Sequence, residues 1–260
     1  MSSNKLGLPF EYKKIPEYFD VLNPDKGKDV EIKNSFIESC LKKYSVKTVL
    51  DLTCGTGSQV FFLTKIGYQC LGADFSPALI KIAKKKARAE KTTAKFINGD
   101  MRTLHVREFD AVITIHNAIG HLTKSDFIKT IKNIYRNLKA GGIYVFDILN
   151  LQAMSDKTVA NLSYQTEERG KDYNFYHSQC SVVNKSTGRL TSYDMTMFQN
   201  KAEKPVQFTN KYSLQIYKAK ELTQILQKCG FEVMELHSMD GRKFIANKTI
   251  SMLIVCRKNL

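Results

Sequence analysis

The chain has 260 residues, 43% of them hydrophobic and 10% aromatic, which is globular composition and excludes wholesale disorder. Lysine and arginine number 40 against 25 acidic residues, a formal charge of +15 that suits nucleic acid, an acidic partner or only a lysine-rich proteome. No apolar run approaches the ~20 residues that cross a bilayer. The start MSSNKLGLPFEYKK carries no leader pattern, and the six scattered cysteines form no CxxC pair. The expectation is a cytoplasmic protein with reduced thiols and no metal site.

A helical segment is expected over residues 1–47. Residues 48–53 read as a buried strand, followed by a glycine turn and a helix from near Ser58. A second strand covers 70–75. Ser76 then caps a helix over 77–90, with Pro77 in its first turn and Ile80, Ala83 and Ala87 on one face. Strands follow at 95–100 and 109–115. The helix over 125–138 carries Phe127, Ile131, Ile134 and Leu138 at helical spacing, with Thr123 and Asp126 as a variant capping box. Gly141-Gly142 lies beyond it, before a strand at 143–149. This alternation implies a parallel sheet with helices on both faces.

After Asn150 the period changes to two. Residues 173–183, 190–198 and 206–216 read as antiparallel strands, with NKSTG (184–188) as a turn. A helix over 221–229 stopped by Gly230, and strands at 231–237 and 250–256, restore the α/β pattern. The plan is one domain over 1–260: a helical entry to 47, a ligand-binding half over 48–150, an inserted meander over 151–216, and a closing part over 217–260.

VLDLTCGTGSQ (49–59) is the informative segment. Gly55 and Gly57 permit positive φ and close backbone approach, and the helix start offers N–H groups to an anion. Val60 occupies the sixth position of the dinucleotide pattern, where glycine or alanine belongs. Asp51 would repel a pyrophosphate but suits the ammonium of S-adenosylmethionine (SAM), whose single carboxylate suits the loop. Asp74 ends the second strand, where doubly wound folds place a ribose acid, with Phe75 beside it. Asp100 ends the third, suited to the adenine amino group, with the Met101 N–H facing the ring.

With these motifs in order, residues 48–150 resemble the class I SAM-dependent methyltransferases. FDAVITIHNAIGHL (109–122) corresponds to the family's post-loop motif and NLKAGGIYVFDILN (137–150) to its fifth-strand motif. The resemblance implies a Rossmann-like doubly wound α/β fold: a seven-stranded mixed sheet of order 3-2-1-4-5-7-6, the seventh strand antiparallel, with the meander as an insertion. It implies SAM as cofactor and S-adenosylhomocysteine (SAH) as product. Thr53 departs from the family's usual glycine. More loosely, the meander and PEYFDVL (16–22) are similar to small-molecule methyltransferases, where extra strands cover the acceptor or build a dimer. A monomer or homodimer is therefore expected.

Methyl transfer needs alignment, exclusion of water and, for a hydroxyl or ammonium nucleophile, a base. The acceptor belongs beyond the carboxyl ends of strands four and five. His116 and Asn117 are placed there as catalytic candidates, His116 also touching the cofactor. His121, Asp147, Asn150 and, from the meander, Tyr176 are acceptor candidates. Tyr12 and Tyr18 are candidates to close over the methionine part of SAM. Cys54 is read as packing. The basic run Lys81, Lys84, Lys85, Lys86, Arg88, Lys91 and Lys95 falls largely on the helix after Asp74. The stretch after strand four, IHNAIG, lacks the [N/D]-P-P-[Y/F] motif of amino-methylating nucleic-acid enzymes. A small-molecule acceptor methylated on N or O ranks first, RNA or DNA second, a binding-only module after these.

Overall fold

A computed structural model describes residues 6–9, 12, 15–22, 28–200 and 202–259. Residues 1–5, where a leader was sought, lie outside them. In chain order the elements are α1 (Phe19–Leu22), α2 (Lys28–Lys43), β1 (Thr48–Asp51), α3 (Ser58–Lys65), β2 (Gln69–Asp74), α4 (Pro77–Ala89) and β3 (Lys95–Asn98). Then come β4 (Phe109–Thr114), α5 (Lys124–Arg136), β5 (Leu138–Leu149), α6 (Asp156–Asn161), β6 (Tyr164–Arg169), β7 (Tyr173–Asn184) and β8 (Arg189–Asn200). The chain ends with β9 (Val206–Gln215), α7 (Ala219–Lys228), β10 (Phe231–Ser238) and β11 (Ser251–Lys258).

Seven strands form one sheet in the order β10-β11-β5-β4-β1-β2-β3. β1 to β5 pair in parallel, and β11 runs antiparallel to both β5 and β10. This is the expected 3-2-1-4-5-7-6 order. Both faces are covered, so the central strands are apolar throughout rather than alternating. Leu50, Val112, Phe146 and Ile254 pack on one face against Phe127, Ile131 and Ile134 of α5 and Leu222 and Leu226 of α7. Val49, Ile113, Val145 and Leu253 pack on the other against Ile37 and Leu41 of α2 and Leu63 of α3.

β5 starts at Leu138, five residues before the expected start, and takes in both glycines. The helix before it ends at Arg136 because Asn137 caps it and its carbonyl receives the Phe109 N–H of β4. The Thr123 side chain caps α5 as expected, accepting from the Asp126 N–H, but the Asp126 carboxylate reaches Arg102.

The meander is a second sheet of four antiparallel strands, β6-β7-β8-β9. Its first strand, YQTEER, has no apolar alternation and every residue is exposed, so its sequence carries no strand signal. Pairing with β7 alone makes it a strand. At the other edge residues 6–8 lie along β9: Ser213 N–H donates to the Leu6 carbonyl at 2.6 Å and the Asn210 amide to the Leu8 carbonyl at 2.9 Å. That covers an edge otherwise open to pairing. Leu190, Leu214 and Ile216 seat this sheet on Leu151 and Met154, just past the end of β5. The sheet thus overhangs the carboxyl ends of the parallel strands. No helix among the described residues is long and apolar enough to cross a membrane.

Candidate active site

The floor is the turn between β1 and α3. Gly57 has φ of 101° and no side chain caps α3, so the helix start presents backbone N–H groups to the turn. A Cβ on Gly57 would lie 2.8 Å from the Phe61 and Phe96 rings. Asp51 is buried and accepts the Thr53 N–H at 3.0 Å. Asp74 is buried too, its two oxygens accepting from Gly55 N–H at 2.9 Å and Ser76 N–H at 2.8 Å. Burial pushes its carboxyl up to about 6, against the downward pull of those two N–H groups. Burial also holds the Cys54 thiol well above its usual range, consistent with packing.

Asp100 is forked by Arg102, whose Nε lies 2.9 and 3.0 Å from its two oxygens. Burial alone would raise this carboxyl, but the guanidinium outweighs it and holds it below the usual range. Asn133 donates to the Met101 carbonyl at 3.0 Å, fixing the turn after β3 from α5. Phe75 is 41% exposed, its ring 6.1 Å from that of Tyr12.

After β4 the chain takes two successive left-handed residues, His116 at φ 63° and Asn117 at φ 53°. Asn117 tolerates this conformation readily and a histidine less so. The turn is held from beneath. Asn117 N–H donates to both Asp147 oxygens at 3.0 Å, its side-chain oxygen accepts the Leu149 N–H at 3.0 Å, and Ser251 donates to Asp147 at 3.2 Å. Burial raises the Asp147 carboxyl. The Gln59 amide nitrogen lies 3.0 Å from His116 Nε2. One turn on, the His121 Nδ1 is buried without a partner, and burial pushes this imidazole down to about 4.

These elements enclose a cavity of about 560 Å³. Its floor includes Thr53, Gly55, Thr56, Gln59 and Asp74, and one wall is His116, Asn117 and His121. Tyr12, Phe19, Asp20 and Lys33 come from the N-terminal segment. The inner face of the second sheet forms the roof, with Phe175, His177, Gln179, Asp194 and Tyr212 among its residues. Thr56 donates to Asp20, which Lys86 of α4 also holds, so the entry segment is tied to the glycine loop.

Of the expected site residues, Thr53, Gly55, Asp74, His116, Asn117 and His121 meet at this cavity. Asp51 and Gly57 shape the loop that floors it. Phe75, Asp100 and Met101 are not among the residues that line it, and Tyr18, Tyr176, Asp147 and Asn150 are placed elsewhere as well. Tyr18 packs with its ring 4.2 Å from that of Phe198, tilted, and 6.0 Å from that of Tyr173, edge-on, while Tyr12 lines the cavity. Tyr176 lies between Phe175 and His177 on β7, so strand alternation turns it to the opposite face. Asp147 supports Asn117 from behind. Asn150 is fully buried, donating to the Ala246 and Thr249 carbonyls and capping the turn after it by accepting the Gln152 N–H. Asp20, Lys33, Gln179 and Asp194 are lining residues that sequence reasoning missed. Only Asp194 carried a signal, as a charge in the inward register Leu190, Ser192, Asp194, Thr196, Phe198. Among the described residues no group of three or more His, Cys, Asp or Glu side chains is arranged to hold a metal.

Residues 49–142 match the family model described as a methyltransferase domain. The putative methyltransferase YqeM of Bacillus subtilis (strain 168) is 28% identical over 197 residues, covering 71% of this chain and 73% of that one. A SAM-dependent methyltransferase from Clostridium acetobutylicum superposes over 96% of this chain and 99% of its own, with a TM-score of 0.76 at 17% identity. The sugar N-methyltransferase KedS8 of Streptoalloteichus superposes over 93% of both chains, with a TM-score of 0.75 at 18% identity. Residues 49–142 thus match a methyltransferase domain, and the chain as a whole has the fold that SAM-dependent methyltransferases share.

Proposed function

We propose that this enzyme moves a methyl group from SAM to a nitrogen or oxygen nucleophile of a small acceptor held between the glycine loop and the second sheet, leaving SAH. One observation carries the choice of acceptor: the cavity is roofed, and its walls bear Asp20, Asp74 and Asp194 against the single lysine Lys33, in a chain of net charge +15. A polyanionic strand is repelled from such walls, whereas cationic or neutral small molecules are not. KedS8, a methyltransferase of sugar nitrogen, shares the fold over nearly its whole length, which supports the same reading.

The residues present fit SAM. The Thr53 hydroxyl is buried at the cavity without a partner, and the N–H groups at the start of α3 are uncapped, suiting a carboxylate. Asp51 suits the ammonium and Asp74 the ribose hydroxyls, with Phe75, Asp100 and Met101 toward the adenine. SAM supplies an electrophilic methyl on a sulfonium. The protein's part is to orient the nucleophile, exclude water and receive the proton that an ammonium or hydroxyl loses. His116 is the candidate for that proton, oriented by Gln59, and Asn117 sets its position.

The test is calorimetry with SAH and NAD, followed by a screen of amine and hydroxyl metabolites with methyl-labelled SAM and bulk RNA as control. SAH binding without NAD binding, and label in small molecules, are expected. NAD binding without SAH binding would overturn the cofactor, and label confined to RNA the acceptor. His116→Ala is expected to lower turnover at least tenfold while leaving SAH affinity within about threefold. Unchanged kinetics would remove His116 from the mechanism.

A further inference from the structure

The inner face of β8 carries one ionisable group, Asp194, and it is 93% buried by exposure of only 7%. Across the sheet it faces Gln179 of β7 and Asn210 of β9. Neither neighbour is cationic, and the Asn210 side chain gives the carboxylate a neutral hydrogen bond only. The nearest lysine in register, Lys211, lies one residue on from Asn210 and so on the outer face, where its ammonium sits 5.2 Å over the Tyr193 ring. No lysine, arginine or histidine among the described residues is paired with Asp194, and its Oδ1 is buried with no hydrogen-bond partner. The Gln179 amide is committed elsewhere: its nitrogen donates to the Leu162 carbonyl at 3.0 Å and its oxygen accepts from the Tyr212 hydroxyl at 3.1 Å.

A buried carboxylate without a cation is costly unless something completes it. The side chain lines the same cavity as the glycine loop, so a bound molecule can reach it. Beside it the roof is aromatic. The His177 ring stacks parallel to Phe175 at 6.0 Å and lies 5.5 Å from Tyr164, with its Nδ1 tied to Thr196 at 2.8 Å. Aromatic faces favour a nearby cation and the carbon body that bears it.

We infer that Asp194 anchors an amino or ammonium group of the methyl acceptor, so that the enzyme selects small amines over their hydroxyl counterparts. The assignment rests on the small-acceptor reading above and narrows it. Hydroxyls donate one hydrogen bond and carry no charge, so an amine completes Asp194 better at neutral pH. The roof residues supply selection, and the floor supplies the cofactor site. The two are separable by mutation because Asp194 touches none of the glycine-loop residues through the hydrogen bonds described above.

The test uses the full chain saturated with SAH. Binding of D-glucosamine, putrescine and phenethylamine is measured against D-glucose, 1,4-butanediol and phenethyl alcohol. In the wild type at least one amine is expected to bind tenfold or more tightly than its alcohol. Asp194→Asn is expected to erase that preference while SAH affinity stays within twofold, which also certifies that the variant is folded. Equal binding within every pair, no binding by any amine, or an undiminished preference in the variant overturns the role of Asp194. Failure of the wild type to bind SAH overturns instead the cofactor reading on which it rests.

Discussion

Asp74 joins the two halves of the cavity floor, because one carboxylate receives N–H groups from the glycine loop and from the start of α4. Its folded value of about 6 lies above the ordinary 3.8, so the folded state holds that proton the more tightly. By linkage this group favours folding as pH falls from about 6 toward 3.8. The charge on the carboxylate proposed to accept the ribose hydroxyls disappears over the same window. SAH affinity is therefore expected to fall below pH 6 without loss of melting temperature from this group. Calorimetric titrations from pH 5 to 8 check it, and in Asp74→Asn the inflection should vanish. His121 has the opposite sign. Burial holds it neutral to about 4, so its contribution to stability is lost as pH falls from 6.5 toward that value. Its imidazole carbon shifts in NMR should stay flat between pH 5 and 8.

At the scale of elements, legibility followed period and burial. β1, β2, β4 and the helices α4 and α5 were visible to within a few residues, because buried parallel strands are continuous apolar runs and their helices carry a clear apolar stripe. β6 was not, since YQTEER becomes a strand only through its partner. Residues picked out by local sequence chemistry, Thr53, Gly55, Asp74 and His116, are brought together at the cavity. Facing was not legible, as with Tyr176, which strand alternation turns away from its neighbours Phe175 and His177 that line the cavity. Asp147 and Asn150 stand at the correct end of β5, yet they hold backbone rather than ligand. That role is itself testable. Asp147→Ala leaves the part-buried Asn117 N–H without its acceptor, which costs about 1 kcal/mol. A lowered melting temperature, with acceptor turnover falling more than SAH affinity, is the expected result. Gly57→Ala acts on the other side of the cavity. Its left-handed backbone costs a residue with a Cβ roughly 1–2 kcal/mol, and the clash with Phe61 and Phe96 adds to that. Here SAH affinity should fall along with melting temperature.

For the whole molecule, the surplus of positive charge and the acidic cavity are two separate surfaces. Lys81, Lys84, Lys85 and Arg88 border a depression of about 510 Å³ along α4, with Pro77, Ile80 and Asn98. None of these residues lines the cavity under the second sheet. One member of the run has a defined local task, since Lys86 binds Asp20 and so ties the entry segment to the floor. The other members of the run are exposed, four of them on α4. Replacing Lys81, Lys84 and Lys85 together with alanine lowers the net charge from +15 and leaves Lys86 in place. Turnover and KM for a small acceptor are expected to stay within twofold, with weaker retention on an RNA or heparin column. A tenfold loss of activity in the triple variant would show that the basic face takes part in acceptor binding, and the acidic roofed cavity would then no longer account for specificity on its own.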